Sequence, residues 1–188
     1  MKLIYKGKYS GDPETIPHGQ HKENAVKFKE YDDLAKFGIV MNLAAVVFMV
    51  MLAVVFGLRA GGISKISTIG CIVPLLLLFP HELLHAVCFK DEVYLYTNLK
   101  SGMLFVIGLE AMSRLRYVFM CFLPNIVFGF VPFSAFLINP DLTVLGTIGF
   151  VSIPTGLGDY YNAFNALMQS PKSSRIYMYK TSTYWYMP

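Results

Sequence analysis

The sequence of 188 residues has little charge, no paired cysteines and no large excess of basic residues. Asp, Glu, Lys and Arg make up 15% of the chain, whereas a soluble domain carries about 25%. So few charges cannot coat a soluble globule of this size, which excludes disorder and most soluble enzymes. A net charge of +4 is too small for a basic nucleic-acid-binding surface, so we expect no nucleic-acid partner. The three cysteines lie in apolar stretches without paired spacing, which excludes a disulfide framework.

The sequence contains long apolar runs. Hydrophobic residues make up 55% of the chain, and the 21 residues from Gly38 to Leu58 contain no charge. A helix of about 20 apolar residues crosses the hydrocarbon core of a bilayer. We therefore predict a mainly α, integral membrane protein in contact with the lipid bilayer. Its four transmembrane helices are expected at 38–58, 67–89, 115–138 and 142–168.

Charged blocks divide the chain around this membrane core. Residues 1–37 are predicted as an N-terminal segment, 38–168 as the four-span core and 169–188 as an aromatic tail. Within the core, residues 90–114 contain two β-prone runs on either side of Lys100-Ser101-Gly102, which predicts a small β-hairpin. Alternation in the N-terminal run MKLIYKGKY and in the tail predicts further strands of the same small sheet.

The distribution of basic residues predicts the orientation in the membrane. If the N-terminus is cytoplasmic, 14 of the 16 Lys and Arg residues lie on the cytoplasmic side, and only Arg59 and Lys65 lie outside. Cytoplasmic loops are enriched in Lys and Arg. The asymmetry predicts a multi-pass protein of the plasma membrane with both termini, the hairpin and the tail in the cytoplasm.

The motif HELLH stands inside the second predicted span, at residues 81–85. His81 and His85 are four residues apart, so on a helix both imidazoles point to one face and can bind one zinc ion. Glu82 is placed to take a proton from a zinc-bound water and pass it to a leaving amine. Charged and polar groups are expensive inside a membrane, which favours a functional site over a packing cluster.

A catalytic zinc needs a third protein ligand, and several residues are candidates. His18 and His21 lie in a polar loop and are interpreted as solvated. Glu110 follows His85 by 25 residues, a separation that some zinc peptidases use, and it is the runner-up. It is also a candidate for an ion pair with Arg114, four residues further on.

Asp159 is the preferred third ligand on grounds of depth. His85 is 18 residues from the start of its predicted span and Asp159 is 17 from the start of its own, so both lie near the cytoplasmic face. The alternative is that Asp159 caps a helix over residues 160–168. Asn162 is a candidate to orient the Asp159 carboxylate. Asn125 is a candidate to bind a developing oxyanion, or to satisfy a carbonyl freed by Pro124.

Three sequence stretches together resemble a known family. HELLH in a span, LPNIVFG in the next and GLGDYYNAF in the last resemble the bacterial family called putative zincin peptidase, a membrane domain of unknown function. The plan is also similar to that of the site-2 protease family of intramembrane metalloproteases. That resemblance implies one zinc ion held by His81, His85 and Asp159, with Glu82 as catalytic base.

The sequence therefore predicts a zinc-dependent, membrane-embedded endopeptidase that hydrolyses a peptide bond of a transmembrane or membrane-proximal protein. Two alternatives remain. One is a membrane scaffold that keeps zinc for structure, and the intact Glu82 argues against it. The other is a zinc hydrolase of a non-peptide, lipid-linked substrate.

Overall fold

The computed structural model describes residues 1–31, 33–98 and 103–188. It is mainly helical, with two small sheets. The chain divides into two compact units. The first unit comprises Met1–Glu30, Glu82–Cys121 and Asn162–Pro188, and the second comprises Tyr31–His81 and Phe122–Tyr161.

The helices follow the apolar runs of the sequence. Their bounds are α1 Leu34–Ala60, α2 Thr68–Leu76, α3 Leu78–Ala86, α4 Arg114–Asn125, α5 Val131–Ile138, α6 Thr143–Thr155 and α7 Leu157–Gln169. Among the described residues, two helical stretches are long and apolar enough to cross a membrane, Lys36–Ala60 and Arg114–Ile138. The pair α2 and α3 makes a third if it is taken as one bent span. The chain is therefore a membrane protein by length and composition of its helices.

The span predicted as one helix over 67–89 is broken in two. The axes of α2 and α3 differ by 43°, and the break falls at Leu77. Pro80 has no N–H to donate to the carbonyl of Leu76, and its ring crowds that carbonyl, so the helix bends one turn before the proline. A hydropathy average does not register this effect.

The stretch predicted as a single span over 142–168 is also two helices, α6 and α7, which meet at Gly156. Pro154 near the end of α6 and the glycine that follows it account for the end of the helix. The predicted span over 115–138 is continuous, but its middle, Ile126–Phe130, is a π-helix between α4 and α5. Pro124 and Pro132 flank this segment and remove backbone donors on both sides of it.

The core of the second unit is aromatic. Phe56 of α1 stacks on Phe136 of α5 with ring centroids 4.6 Å apart, and it also contacts Phe150 of α6. Glycines let α5 and α6 approach closely. A Cβ on Gly149 would lie 2.6 Å from the Cβ of Phe133 and 2.7 Å from its backbone nitrogen. Small residues at helix contacts are the usual way in which membrane helices pack.

The first unit contains the strands, which form two sheets rather than the single predicted one. The strands are β1 Lys2–Lys8, β2 Val26–Lys27, β3 Glu92–Asn98, β4 Met103–Gly108, β5 Met112–Ser113, β6 Arg175–Tyr179 and β7 Ser182–Tyr186. One sheet has the order β1-β3-β4 and the other β2-β7-β6-β5.

The predicted hairpin is confirmed as the antiparallel pair β3 and β4, with Leu95 opposite Val106. Its predicted turn, Lys100-Ser101-Gly102, lies outside the described residues. The N-terminal run pairs with β3, as β1, in parallel. The tail instead folds on itself as the β6–β7 hairpin, which the short strands β2 and β5 extend. Alternation predicts a strand but carries no information about which edge it joins.

The close contact of α5 and α6 predicts that Gly149→Ala destabilises the protein. The added methyl group meets backbone atoms of Phe133, which cannot move aside cheaply, and overpacking of this kind costs about 1–3 kcal/mol. We expect the midpoint of thermal unfolding in detergent to fall by roughly 5 °C. Gly38→Ala on α1 is the control, because a Cβ at that position meets nothing within 4 Å. Equal midpoints for the two variants would contradict this account of the helix contact.

Candidate metal site

Helix α3 carries the HELLH motif, as its spacing predicts. The helix runs over Leu78–Ala86, so His81 and His85 lie on one face, one turn apart. His85 is buried and 8% exposed, and His81 is partly buried. Because the helical backbone fixes the separation of the two rings, the pair does not depend on any loop conformation.

His85 is oriented by a backbone carbonyl. Its Nδ1 lies 3.0 Å from the carbonyl oxygen of Met120 on α4. A carbonyl only accepts hydrogen bonds, so Nδ1 carries the proton and donates it. The lone pair of the neutral ring is then at Nε2. This is the arrangement by which metal-binding histidines are usually held, with one nitrogen on a backbone or carboxylate acceptor and the other on the metal.

His81 is paired with Asp159. The Nε2 of His81 lies 3.2 Å from Oδ2 of Asp159, and both side chains are largely buried. Asp159 stands in the first turn of α7, which begins at Leu157, so it lies within this helix rather than capping one over 160–168. The two predicted ligands are therefore brought together within the second unit.

Asn125 holds the Asp159 carboxylate. Its Nδ2 donates a hydrogen bond of 2.9 Å to Oδ2 of Asp159, and the Asn125 side chain is only 2% exposed. The sequence predicts Asn125 as an oxyanion donor or as a partner for a freed carbonyl. It predicts Asn162 as the residue that orients Asp159. The side chain placed on the carboxylate is Asn125. Asn162 lies half-buried on α7, and its accessory role stays a prediction.

Gly156 makes room for Asn125. A Cβ on Gly156 would lie 1.8 Å from Oδ1 of Asn125 and 2.3 Å from its Cγ, so no other residue fits there beside this side chain. Gly156 lies at the junction between α6 and α7, three residues before Asp159. Its role as the space for Asn125 has no signal in the sequence, because the two residues are brought together by the fold.

Glu82 is held by strand β4. Its Oε2 accepts a hydrogen bond of 3.0 Å from the backbone N–H of Val106, within the first unit. Sequence reasoning did not identify this contact, because the donor is a backbone group and any residue except proline supplies it. The bond fixes one carboxylate oxygen of the predicted base.

Glu110, the runner-up ligand, forms an ion pair and a hydrogen bond within the first unit. Its carboxylate forms an ion pair of 2.5 Å with Nη1 of Arg116 and accepts a hydrogen bond of 2.7 Å from the N–H of Lys90. Burial raises the pKa of this carboxyl, but the bonds from Arg116 and Lys90 outweigh it, so the pKa is lowered overall. The partner is Arg116 rather than the predicted Arg114, which donates to the carbonyl oxygens of Leu167 and Ser170.

The two N-terminal histidines lie on the surface, as expected. Both are exposed, and their Nδ1 atoms lie 3.0 Å from hydrogen-bond partners of the first unit, the carbonyl of Ile16 for His18 and the hydroxyl of Tyr177 for His21. Among the residues that the structure describes, neither histidine belongs to a group of three or more His, Cys, Asp or Glu side chains that could hold a metal ion.

The separation of the His81 and Asp159 donor atoms fits zinc. Two donors of a tetrahedral zinc, each about 2.0–2.1 Å from the ion, stand about 3.3 Å apart. The separation of 3.2 Å between His81 Nε2 and Asp159 Oδ2 matches that edge. Two imidazoles and a carboxylate are also a ligand set that catalytic zinc sites use, with the fourth position left to water.

The space at Gly156 generates a prediction. Gly156→Ala should displace Asn125 and break its bond to Asp159, and losing a hydrogen bond to a charged group costs about 1.5–3 kcal/mol. We expect the midpoint of thermal unfolding in detergent to fall by roughly 5 °C. Gly158→Ala is the matched control on the same stretch of chain, because a Cβ there meets nothing within 4 Å. An unchanged midpoint for Gly156→Ala would show that Asn125 is not held as described.

Comparison with known proteins identifies the family of the chain. No curated protein and no solved structure matches it. The family model described as "Putative zincin peptidase" matches residues 74–175, which is more than half of the chain and includes HELLH, Asn125 and Asp159. On this match, the chain belongs to the putative zincin peptidase family.

Proposed function

We propose that the protein is a zinc-dependent, membrane-embedded endopeptidase of the site-2 protease type. The observation that carries the proposal is the approach of Asp159 to His81, 3.2 Å apart, where His81 shares one face of α3 with His85. Three ionisable residues in apolar helices are expensive unless they serve a function. Family membership supports peptide hydrolysis as that function.

His81, His85 and Asp159 are the proposed ligands of one zinc ion. Two of the proposed ligands are oriented by hydrogen bonds. His85 Nδ1 donates to the carbonyl of Met120, and Asn125 donates to Asp159. Such contacts fix the direction of a ligand and are usually worth 10-fold to 100-fold in metal affinity. His81 completes the set through its position one helical turn before His85.

Glu82 is the proposed general base. When bound, zinc lowers the pKa of a coordinated water and polarises the scissile carbonyl. Glu82 accepts the proton of that water and passes it to the leaving amine. The hydrogen bond from the Val106 N–H to one oxygen restricts the rotation of the Glu82 carboxylate, which reduces the entropy that positioning this base costs. The proposed substrate is a peptide bond in a transmembrane or membrane-proximal protein.

Measurements on three variants and a control test the enzyme. The purified protein is assayed for zinc content and for cleavage of a library of single-span membrane peptides, with the products identified by mass spectrometry. Glu82→Gln should keep its zinc and lose cleavage by about 10²–10⁴-fold. His85→Ala and Asp159→Ala should lose both zinc and cleavage.

The control is Glu23→Gln, which changes an exposed acid in the same way and should leave both quantities unchanged. Cleavage at the wild-type rate by Glu82→Gln would overturn the role of Glu82. Full zinc content in Asp159→Ala would remove that residue from the ligand set.

We further propose that the chain crosses the plasma membrane with four segments and both termini in the cytoplasm. Of the 16 Lys and Arg residues, 14 fall on the cytoplasmic side in this arrangement. On that reading the bent pair α2 and α3 is one crossing, and the pair α6 and α7 is another. The strands of the first unit are then cytoplasmic.

Reporter fusions test this orientation. A fluorescent protein fused after Pro188 should fluoresce, and alkaline phosphatase fused there should be inactive, because the phosphatase folds only outside the cytoplasm. Phosphatase inserted between Gly61 and Gly62 should be active, since this connection lies outside in the proposed topology. Active phosphatase at Pro188 would reverse the assignment.

A further inference from the structure

A small cavity lies beside His81 in the second unit. Its volume is about 30 Å³. It is lined by residues of α2, α3, α4, the π-helix and α6, together with Leu77, namely Pro74, Leu77, Leu78, His81, Pro124, Asn125, Phe128, Ser152 and Thr155. A cavity needs about 10–15 Å³ of this kind of volume to hold a water molecule, so this one has room for about two or three non-hydrogen atoms.

The lining combines apolar walls with one unsatisfied polar group. Prolines, leucines and Phe128 supply the walls, and Ser152 lies on the α6 side. Ser152 is 8% exposed, and its buried hydroxyl has no hydrogen-bond partner among the described residues. A helical serine can bond the carbonyl four residues earlier, but this one does not. Leaving a buried hydroxyl unpaired costs about 1–3 kcal/mol, which points to a group that enters the cavity and satisfies it.

The position of the cavity connects it to the proposed chemistry. His81 lines the cavity and also approaches Asp159 through Nε2, so a group that fills the cavity lies next to the proposed metal site. Leu78 and Thr155 of the lining are exposed, which gives the cavity a mouth. The Thr155 hydroxyl donates to the carbonyl of Ser152 and so keeps its oxygen as an acceptor at that mouth.

We propose that this cavity is the pocket for a substrate side chain adjacent to the scissile bond, and that it selects small side chains such as those of alanine and serine. The inference rests on the proposed zinc peptidase function and names its substrate class. The side chains of alanine and serine have one and two non-hydrogen atoms and fit this volume, and a serine hydroxyl can in addition bond Ser152. Leucine and phenylalanine side chains are too large for about 30 Å³. The substrate segment is therefore one with a small residue at this position.

Peptidic hydroxamates test the pocket without requiring turnover. These compounds bind zinc through the hydroxamate and place one amino-acid side chain beside it. The purified full-length protein in detergent, loaded with zinc, is titrated with acetohydroxamate and with the hydroxamates of N-acetylated alanine, serine, leucine and phenylalanine. We expect the alanine and serine compounds to bind at least 10-fold more tightly than the leucine and phenylalanine compounds, since one or more misfitting methylenes are worth about 10–200-fold.

Variants of Ser152 assign the preference to this cavity. Ser152→Val fills the space and should weaken the alanine compound at least 10-fold, while acetohydroxamate binds as before. Ser152→Ala keeps the space and should abolish the advantage of serine over alanine while the size order remains. It also serves as the decisive variant if Ser152→Val does not fold. Ser64→Val, at an exposed serine in the same unit, is the control and should change nothing.

The outcomes separate the pocket from the function. If the wild type holds zinc and binds acetohydroxamate but does not rank the side chains by size, the pocket is wrong and the zinc site stands. An unchanged serine preference in Ser152→Ala likewise overturns the role of this hydroxyl. If the wild type holds no zinc and binds no hydroxamate, the proposed function fails and the pocket proposal fails with it.

Discussion

The pairing of polar groups inside apolar helices is the constraint on which the site depends. An isolated charge or amide in such surroundings costs several kcal/mol, so each one must have a partner. Asn125 donates to Asp159, and Asp159 lies 3.2 Å from His81. These two contacts join His81 of α3, Asn125 of α4 and Asp159 of α7 within the second unit. Asp159 is the partner that Asn125 and His81 share, so its replacement removes both of these contacts.

Irregular backbone supplies the positions of these side chains. His81 directly follows Pro80, Asn125 directly follows Pro124, and Asp159 comes five residues after Pro154, past Gly156. In each case the proline removes a helical hydrogen bond, so the local axis can turn. The break at Leu77, the π-helix over Ile126–Phe130 and the junction between α6 and α7 are the results.

The sequence predicted the parts of the site that depend on local periodicity. The spacing of HELLH placed His81 and His85 on one helical face, and β-prone runs predicted the β3–β4 hairpin. Contacts between segments that are far apart in the sequence could not be predicted from it. Depth along the spans pointed to Asp159 but could not tell that Asn125, rather than Asn162, orients it. Hydropathy averages treated 67–89 and 142–168 as continuous because they weigh a proline by its polarity and ignore its missing N–H.

The order of the strands bears on how the protein is made. Strand β1 is translated first, yet its partner β3 lies about ninety residues later, and β2 at Val26–Lys27 pairs with β7 near the end of the chain. Helices form from neighbouring residues, so they can enter the membrane one after another as they leave the ribosome. Strand β1 waits unpaired until β3 is made, and β2 waits until β7 is made, so the four-stranded sheet closes later than the other. A ribosome that stalls before β7 therefore leaves a protein whose motif helix is complete and whose second sheet is open, and the unpaired strand edges of that sheet can pair with other chains.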